Sequence, residues 1–398
     1  MSVLVPARLK EAVSVRQARV NDLAGQIGVS TGLVQGWLDG TARPDAAQLL
    51  RLSVLLAVPP AFLVRERRGD GPHCFHRAAP QMGERCLSEM ESLLLWLGDV
   101  HEALGRWIEF PEPAVPVASE PEEGATAVRD ALGLGLGPVS NVMAALERLG
   151  VVVGTGTAGR GDLVGSTRLD AAGPLAVLKT DGVSPVRLRF NAAHELGHIV
   201  LHRHVTAGEF DAAVSACRYD RDYQFRPSPA WSKLEGEADA FARAFLLPAA
   251  SFGAEAETST PGDLPALQRR WKVPLLAMID RMRDLGLLDR NGRAYWVKRV
   301  NTKAWLPASQ GTCGAWLPRE PIGDELQQER PGLLASAVEL AVTEGGVGRR
   351  EIVEATGLSS GDVEALCGLP GGWIAGGNVV PLRGERSTLS VRSCHRRA

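Results

Sequence analysis

The apolar positions of this chain recur mainly at the spacing of an α-helix. In residues 1–64, short apolar runs alternate with turn residues, which predicts several small helices. The polar stretch RERRGDGP follows them and predicts an exposed linker. Between Gln81 and Trp107 apolar residues return every three or four positions, so we expect one long helix that connects two folded parts.

The middle of the chain changes to the alternating pattern of strands. After the proline-rich stretch PEPAVPVASEPEEG and two further helices, the run 151–153 and the segments DLVGSTRLD and GPLAVLKT predict a small sheet. The last third is helical again, and the final two dozen residues carry little apolar periodicity. The pattern predicts a multidomain, mainly α fold: an all-α N-terminal domain (1–68), a helical connector and Pro-rich linker (69–122), an α+β domain with a small sheet (123–255), a helical C-terminal region (256–375) and a loose tail (376–398).

Composition narrows the functional classes only slightly. The 398 residues include 44 basic and 46 acidic side chains, so a nucleic-acid site would have to be a local basic patch. The six cysteines form no C-x-x-C pair, which argues against a zinc ribbon or a thiol redox motif. We find no signal peptide and no run of some eighteen apolar residues, and therefore expect a soluble cytoplasmic protein without a membrane partner.

The segment FNAAHELGHIVLHRH, residues 190–204, contains four of the eight histidines. On a helix, residues four apart share a face, so His194 and His198 can bind one metal ion with Glu195 beside its open side. The alternative is a packed or solvated histidine pair on a structural helix. His202 lies about 12 Å along the axis from His194, whereas zinc bonds are about 2 Å, so we expect it to cap or pack instead.

A third ligand is predicted in the segment WSKLEGEADAFARAFLLPAASF, residues 231–252. Glu235 and Asp239 stand four apart beside an apolar stripe, at the edge of the face that a helix would bury. Glu235 is the expected third metal ligand, and Asp239 is the expected acceptor for the N–H of a ligand histidine. For Glu237, on the opposite side, we favour a solvated acidic face.

Three protein ligands would leave one coordination position for a water molecule. Glu195 could deprotonate that water and pass the proton to a leaving amine, which predicts peptide-bond hydrolysis. Besides the metal, Tyr219 and Tyr223 are candidates for stabilising the oxyanion.

Residues 21–44, NDLAGQIGVSTGLVQGWLDGTARP, have the spacing of a helix-turn-helix, with Ser30 as the N-cap of the second helix. Residues 1–68 hold nine basic and five acidic side chains and are therefore locally basic. A scaffold that does not bind DNA is the alternative. A similar stretch at 349–369 has an acidic second helix, and we expect it to be structural or to contact protein. The candidate DNA contacts are Thr31, Gly32, Gln35 and Arg43.

These motifs resemble two known families. The N-terminal stretch resembles the XRE (lambda-repressor-like) helix-turn-helix family, and RFNAAHELGHIVLH with EGEADAFARAFLLP resembles the ImmA/IrrE metallopeptidases. The resemblance implies a zincin-like domain with zinc, or manganese, held by His194, His198 and Glu235, with Glu195 as general base. This sequence departs from the metallopeptidase pattern at Asp239, where Asn is frequent. It departs from the helix-turn-helix pattern at 38–39, where a Glu commonly precedes the Gly.

The resemblance implies a DNA-binding regulator whose zinc-dependent endopeptidase site cleaves a partner repressor, or another regulatory protein, in a stress, phage or mobile-element circuit. Two alternatives stay open. In one, a non-proteolytic transcription factor uses the metallopeptidase-like domain to sense a metal, a ligand or a partner. In the other, a peptidase carries an N-terminal domain that has no role on DNA. Glu195 favours proteolysis, because a pure sensor needs no base beside its metal. Reading a two-fold operator would require a homodimer.

Overall fold

The computed structural model describes residues 3–67, 74–76, 84–156, 165–170, 173–219, 225–302, 322, 325–376 and 389–392. In these ranges the protein is mainly helical, with three small sheets. None of the helices in these ranges combines the length and the apolar character needed to cross a membrane.

The helices are, in chain order, α1 (Pro6–Val15), α2 (Val20–Ile27), α3 (Thr31–Asp39), α4 (Ala46–Leu55), α5 (Pro60–Val64), α6 (Glu84–Leu104), α7 (Pro121–Ala131), α8 (Val142–Arg148), α9 (Pro185–Leu201), α10 (Ala207–Ser215), α11 (Pro229–Leu246), α12 (Ala249–Glu257), α13 (Leu264–Trp271), α14 (Leu275–Asp284), α15 (Arg290–Thr302), α16 (Leu333–Thr343), α17 (Arg349–Thr356) and α18 (Ser360–Leu366). The strands are β1 (Cys74–His76), β2 (Ile108–Glu109), β3 (Val152–Gly156), β4 (Gly165–Asp170), β5 (Gly173–Lys179), β6 (Arg218–Tyr219), β7 (Phe225–Arg226) and β8 (Ser390–Val391).

Helices α2 and α3 meet in the tight turn that the sequence predicts. Helix α2 ends at Gly28, whose φ of +82° suits a residue without a Cβ atom. The Ser30 hydroxyl caps α3 by accepting a hydrogen bond from the Leu33 N–H at 3.3 Å. Val34 and Trp37 are fully buried and fix α3 against its neighbours.

The largest sheet has the strand order β1-β4-β5-β3. Strands β3 and β5 run parallel, whereas β4 is antiparallel to β5. The run predicted at 151–153 begins one residue later and extends to Gly156. Strand β1 was not predicted. It follows the N-terminal helices along the chain and pairs antiparallel with the outer edge of β4, with Phe75 opposite Thr167.

This sheet separates two hydrophobic cores. On one face, Leu175 and Val177 pack with α6, with the N-terminal helices α1–α5 and with α16–α18. On the other face, Ala176 and Leu178 pack with α7–α9 and with α11–α15. The expected C-terminal region 256–375 therefore contributes helices to both cores.

Two ion pairs, one of them partly exposed, connect the N-terminal helices to the first core. Arg8 in α1 donates to Asp99 in α6 at 2.6 Å. Arg16, the C-cap residue of α1, donates to both carboxylate oxygens of Asp362 in α18 at 2.6 and 2.8 Å. The stretch 349–369, which we expect to be structural or to contact protein, thus packs against other parts of this chain.

Residues 389–392, within the predicted loose tail 376–398, pair with the segment that follows α6. Ser390–Val391 forms β8 and pairs antiparallel with Ile108–Glu109. The Arg392 N–H also donates to the Trp107 carbonyl at 2.7 Å. Residues 389–392 are therefore held by backbone pairing, which a search for apolar periodicity does not detect. The rest of 377–398 lies outside the described residues.

Candidate metal centre

Helix α9 carries the predicted histidine motif through the middle of the second core. Ser184 is the N-cap residue and Pro185 occupies the first turn, although the Ser184 side chain makes no capping hydrogen bond. Every residue from Leu188 to Leu201 is buried. The rigid packing fixes which side chains α9 presents to α11, which lies alongside it.

The structure brings the three predicted ligands together. The Nε2 atoms of His194 and His198 are 3.0 Å apart. The Glu235 carboxylate on α11 lies 3.4 Å from each of these nitrogens. One ligand atom from each residue lies within 4.8 Å of the others. Two imidazole nitrogens and one carboxylate are the donor set of many catalytic zinc sites, so the residues present fit this ion.

The electrostatics of Glu235 also suit a ligand. Burial of its carboxyl group would raise the pKa, but hydrogen bonds from His194 and His198, and the positive charge of these rings when they are protonated, outweigh burial and hold the pKa at about 2. The side chain is therefore ionised at neutral pH, as a carboxylate ligand must be.

Asp239 holds the first histidine in place. Its Oδ1 lies 2.8 Å from the Nδ1 of His194. A carboxylate can only accept a hydrogen bond, so Nδ1 carries the proton of the neutral ring that a metal ion requires, and the lone pair of that ring is on Nε2, which faces Glu235. Asp239 thus makes the contact that we expect of it, although its assignment as a site residue stays a prediction.

The carboxylate of Glu195 is fully buried and contacts strand β4 rather than α11. The Thr167 hydroxyl donates a hydrogen bond to Oε2 of Glu195, at 2.6 Å. A Cβ atom on Gly165, two residues earlier on the same strand, would lie 2.6 Å from Oε1 of Glu195. Sequence reasoning missed both residues, because no local pattern in GSTRLD marks a contact with a residue nearly thirty positions later.

Gly197, inside the histidine motif, allows α9 and α11 to approach closely. A Cβ atom there would lie 3.1 Å from both the Cα and the carbonyl oxygen of Ala238. Backbone atoms cannot rotate away, so a larger residue would push the two helices apart by a few tenths of an ångström. The glycine is the only sign of this contact in the sequence.

We expect Gly197→Ala to weaken metal binding about tenfold, since Glu235 sits on the displaced helix while both histidines stay on α9. Competition with a chelator for Zn²⁺ measures the change. Gly236→Ala is the matched control, because nothing lies within 4 Å of a Cβ atom at that position. Equal affinities for the two variants would contradict the close-approach argument.

His202 and Glu237 form a buried extension of the site. Nδ1 of His202 is 2.9 Å from Nδ1 of His198, and Nε2 of His202 is 3.1 Å from the Glu237 carboxylate. Burial, helped by the nearby charge of His198 and opposed by Glu237, lowers the pKa of His202 to about 4. The expected solvated face at Glu237 is therefore wrong: α11 turns this carboxylate towards the end of α9.

The structure describes some, but not all, of the residues predicted to stabilise the oxyanion or to contact DNA. Tyr219 belongs to the short strand β6, and Tyr223 lies outside the described residues, so their oxyanion role stays a prediction. Of the DNA-contact candidates, Thr31, Gly32 and Arg43 are exposed. Gln35 is exposed as well, but its amide donates to both carboxylate oxygens of Asp39 at 3.1 and 3.2 Å.

Residues 146–283 match the Peptidase_M78 family model, described as the IrrE N-terminal-like domain. The matched stretch contains α9 and α11 with all three candidate ligands, and it bears out the metallopeptidase part of the resemblance. No curated protein matches the chain.

Proposed function

We propose that the chain is a zinc-dependent endopeptidase joined to a DNA-binding unit, and that it cleaves a repressor or another regulatory protein. The observation that carries the proposal is the convergence of His194, His198 and Glu235, with the Glu195 carboxylate at the adjoining position of the same helix. The match of residues 146–283 to the metallopeptidase model supports it.

A zinc ion bound by these residues would supply Lewis acidity and lower the pKa of a water molecule. Glu195 would take the proton from that water and deliver it to the leaving amine. The Thr167 hydroxyl donates to Oε2 of Glu195 and would hold the carboxylate in a fixed orientation during the proton transfer. Gly165 keeps the space beside Oε1 free of a side chain. Manganese fits the same donors less well, because imidazole favours zinc.

A peptide mixture tests the hydrolytic part of the proposal. Purified protein stripped of metal, and the same protein reloaded with Zn²⁺, are incubated with peptides of diverse sequence, and new termini are identified by mass spectrometry. We expect cleavage only after reloading. Zinc binding without any new termini would instead favour the alternative, a non-proteolytic transcription factor that senses a metal, a ligand or a partner.

For the DNA-binding part, the support is the turn geometry of α2 and α3 and the exposure of Thr31, Gly32 and Arg43. The amide of Gln35 would have to exchange its contact with Asp39 for a base edge. Recognition of a two-fold operator would use a homodimer of the chain.

We expect Arg43→Ala to weaken DNA binding several-fold. If the guanidinium neutralises one phosphate, the slope of log K against log salt concentration should become shallower by about one. The probe is a duplex selected by the wild-type protein from a random-sequence library. Lys10→Ala removes the same charge from an exposed position on α1 and should change the affinity less. If the two variants bind alike, the N-terminal helices do not present α3 to DNA.

A further inference from the structure

His202 and Glu237 have no place in the hydrolytic chemistry described above, yet they contact a candidate ligand directly. His202 is buried at the C-cap of α9, one turn after His198. The Glu237 side chain, about 29% exposed, reaches it from α11. The two contacts form a continuous chain from His198 through His202 to Glu237, with distances of 2.9 and 3.1 Å.

The hydrogen atoms of this chain can be placed by elimination. A carboxylate only accepts, so Nε2 of His202 must donate to Glu237. A neutral imidazole carries one N–H, and Nδ1 of His202 is therefore an acceptor. Nδ1 of His198 then has to donate to it, which leaves the lone pair of His198 on Nε2. The opposite arrangement would set a lone pair of His202 against the carboxylate of Glu237.

The lone pair of Nε2 is the one that matters for the metal. This atom lies 3.0 Å from Nε2 of His194 and 3.4 Å from the Glu235 carboxylate, whereas Nδ1 faces away from both. Asp239 imposes the same tautomer on His194. Both histidines thus adopt the Nδ1–H tautomer. The Asp239 carboxylate contacts His194 directly, whereas the Glu237 carboxylate acts on His198 through the imidazole of His202.

We propose that His202 and Glu237 are positioning residues that fix His198 in the Nδ1–H tautomer and thereby set the affinity of the site for zinc. The proposal rests on the metal site of the proposed function and does not depend on whether the bound metal hydrolyses peptides. Partners of ligand histidines typically change metal affinity by about 10–100-fold, which sets the expected size of the effect.

Two substitutions at His202 separate positioning from packing. In His202→Asn the amide oxygen takes the place of Nδ1 and still accepts from His198, whereas His202→Leu fills the space without an acceptor. We expect the Leu variant to bind Zn²⁺ at least tenfold more weakly than the wild type and the Asn variant to stay within about threefold. Competition with a chelator gives the affinities, and thermal unfolding of the metal-free proteins reports the loss of packing.

Glu237→Ala provides a second test should His202→Leu fail to fold, because Glu237 is half-buried. Its affinity for Zn²⁺ should fall about tenfold. Lys233→Ala is the matched control: Lys233 pairs with Glu237 at 3.7 Å but is 75% exposed and lies outside the chain of contacts. Unchanged affinity in both Glu237→Ala and His202→Leu overturns the proposal.

The tautomer itself can be observed without metal and without activity. Nitrogen-15 NMR of histidine-labelled, metal-free protein should show His198 protonated on Nδ1 and His202 on Nε2, and His198 should lose this preference in His202→Leu. The Nε2–H tautomer of His198 in the wild type would exclude the positioning role. A wild-type protein with the expected tautomers but no affinity for Zn²⁺ would contradict the proposed metal site and the affinity role built on it.

Discussion

Glu195→Gln is expected to bind as much zinc as the wild type and to hydrolyse peptide bonds about 10²–10⁴-fold more slowly. Glu195 is not one of the three clustered ligands, so the substitution leaves the donor set intact. A glutamine amide can accept the Thr167 hydrogen bond that Oε2 accepts now, but it cannot take a proton from water. Metal content by mass spectrometry and turnover of a cleavable peptide measure the two effects.

In cells, the same variant identifies the substrate. New protein N-termini that appear with the wild type and disappear with Glu195→Gln, under stress as well as at rest, would name the cleaved protein. His194→Ala is the control that should lose both the metal and the cleavage, because it removes a ligand. Identical sets of N-termini for wild type and Glu195→Gln, with the same transcripts still affected, would exclude proteolysis and favour the sensing alternative.

Glu329→Ala is expected to destabilise the protein by about 3 kcal/mol. Arg189 in α9 is almost completely buried, and Glu329 is its carboxylate partner. The other carboxylate oxygen of Glu329 accepts from the Val142 N–H at the start of α8, at 2.7 Å. Burial lowers the pKa of Arg189 to about 10, because the charged guanidinium is removed from water. Within the described ranges, removing Glu329 leaves Arg189 with three backbone carbonyls, those of Val139, Ser140 and Lys272.

Urea unfolding of the metal-free protein measures the loss. Glu325→Ala, four residues earlier, breaks an exposed pair with Arg269 and should cost less than about 1 kcal/mol. The double variant Arg189→Met with Glu329→Ala should recover part of the stability, since no buried charge is left unpaired. A loss as small for Glu329→Ala as for Glu325→Ala would show that the carbonyl contacts of Arg189 suffice.

Local spacing explains what could be predicted from the sequence. Positions four apart on one helix place His194 and His198 together, and the edge of an apolar stripe indicates Glu235 and Asp239, because both arguments use the geometry of a single helix. Helix pairs with a glycine turn and a serine cap, such as α2 and α3, follow from equally local rules.

The site contacts that were missed depend on packing between distant segments. The Thr167 hydroxyl reaches Glu195 because β4 packs against α9, and Glu237 meets His202 because α11 packs alongside α9. A helical wheel for α11 alone places Glu237 towards solvent. Strand β1 is three residues long and β8 two, which is too short for an alternating pattern to stand out.

The sheet shared by the two cores links the metal site to the N-terminal helices thermodynamically. In β5, Leu175 and Val177 face one core while their neighbours Ala176 and Leu178 face the other. Unfolding of either layer of helices would therefore expose one face of this strand to water. An ion that binds only the folded protein adds RT ln(1 + [ion]/Kd) to its stability. That increment protects α1–α5 as well, although none of the metal ligands lies on their side of the sheet. Zinc depletion would therefore lower the resistance of the N-terminal helices to unfolding, whether or not the site cuts a peptide bond.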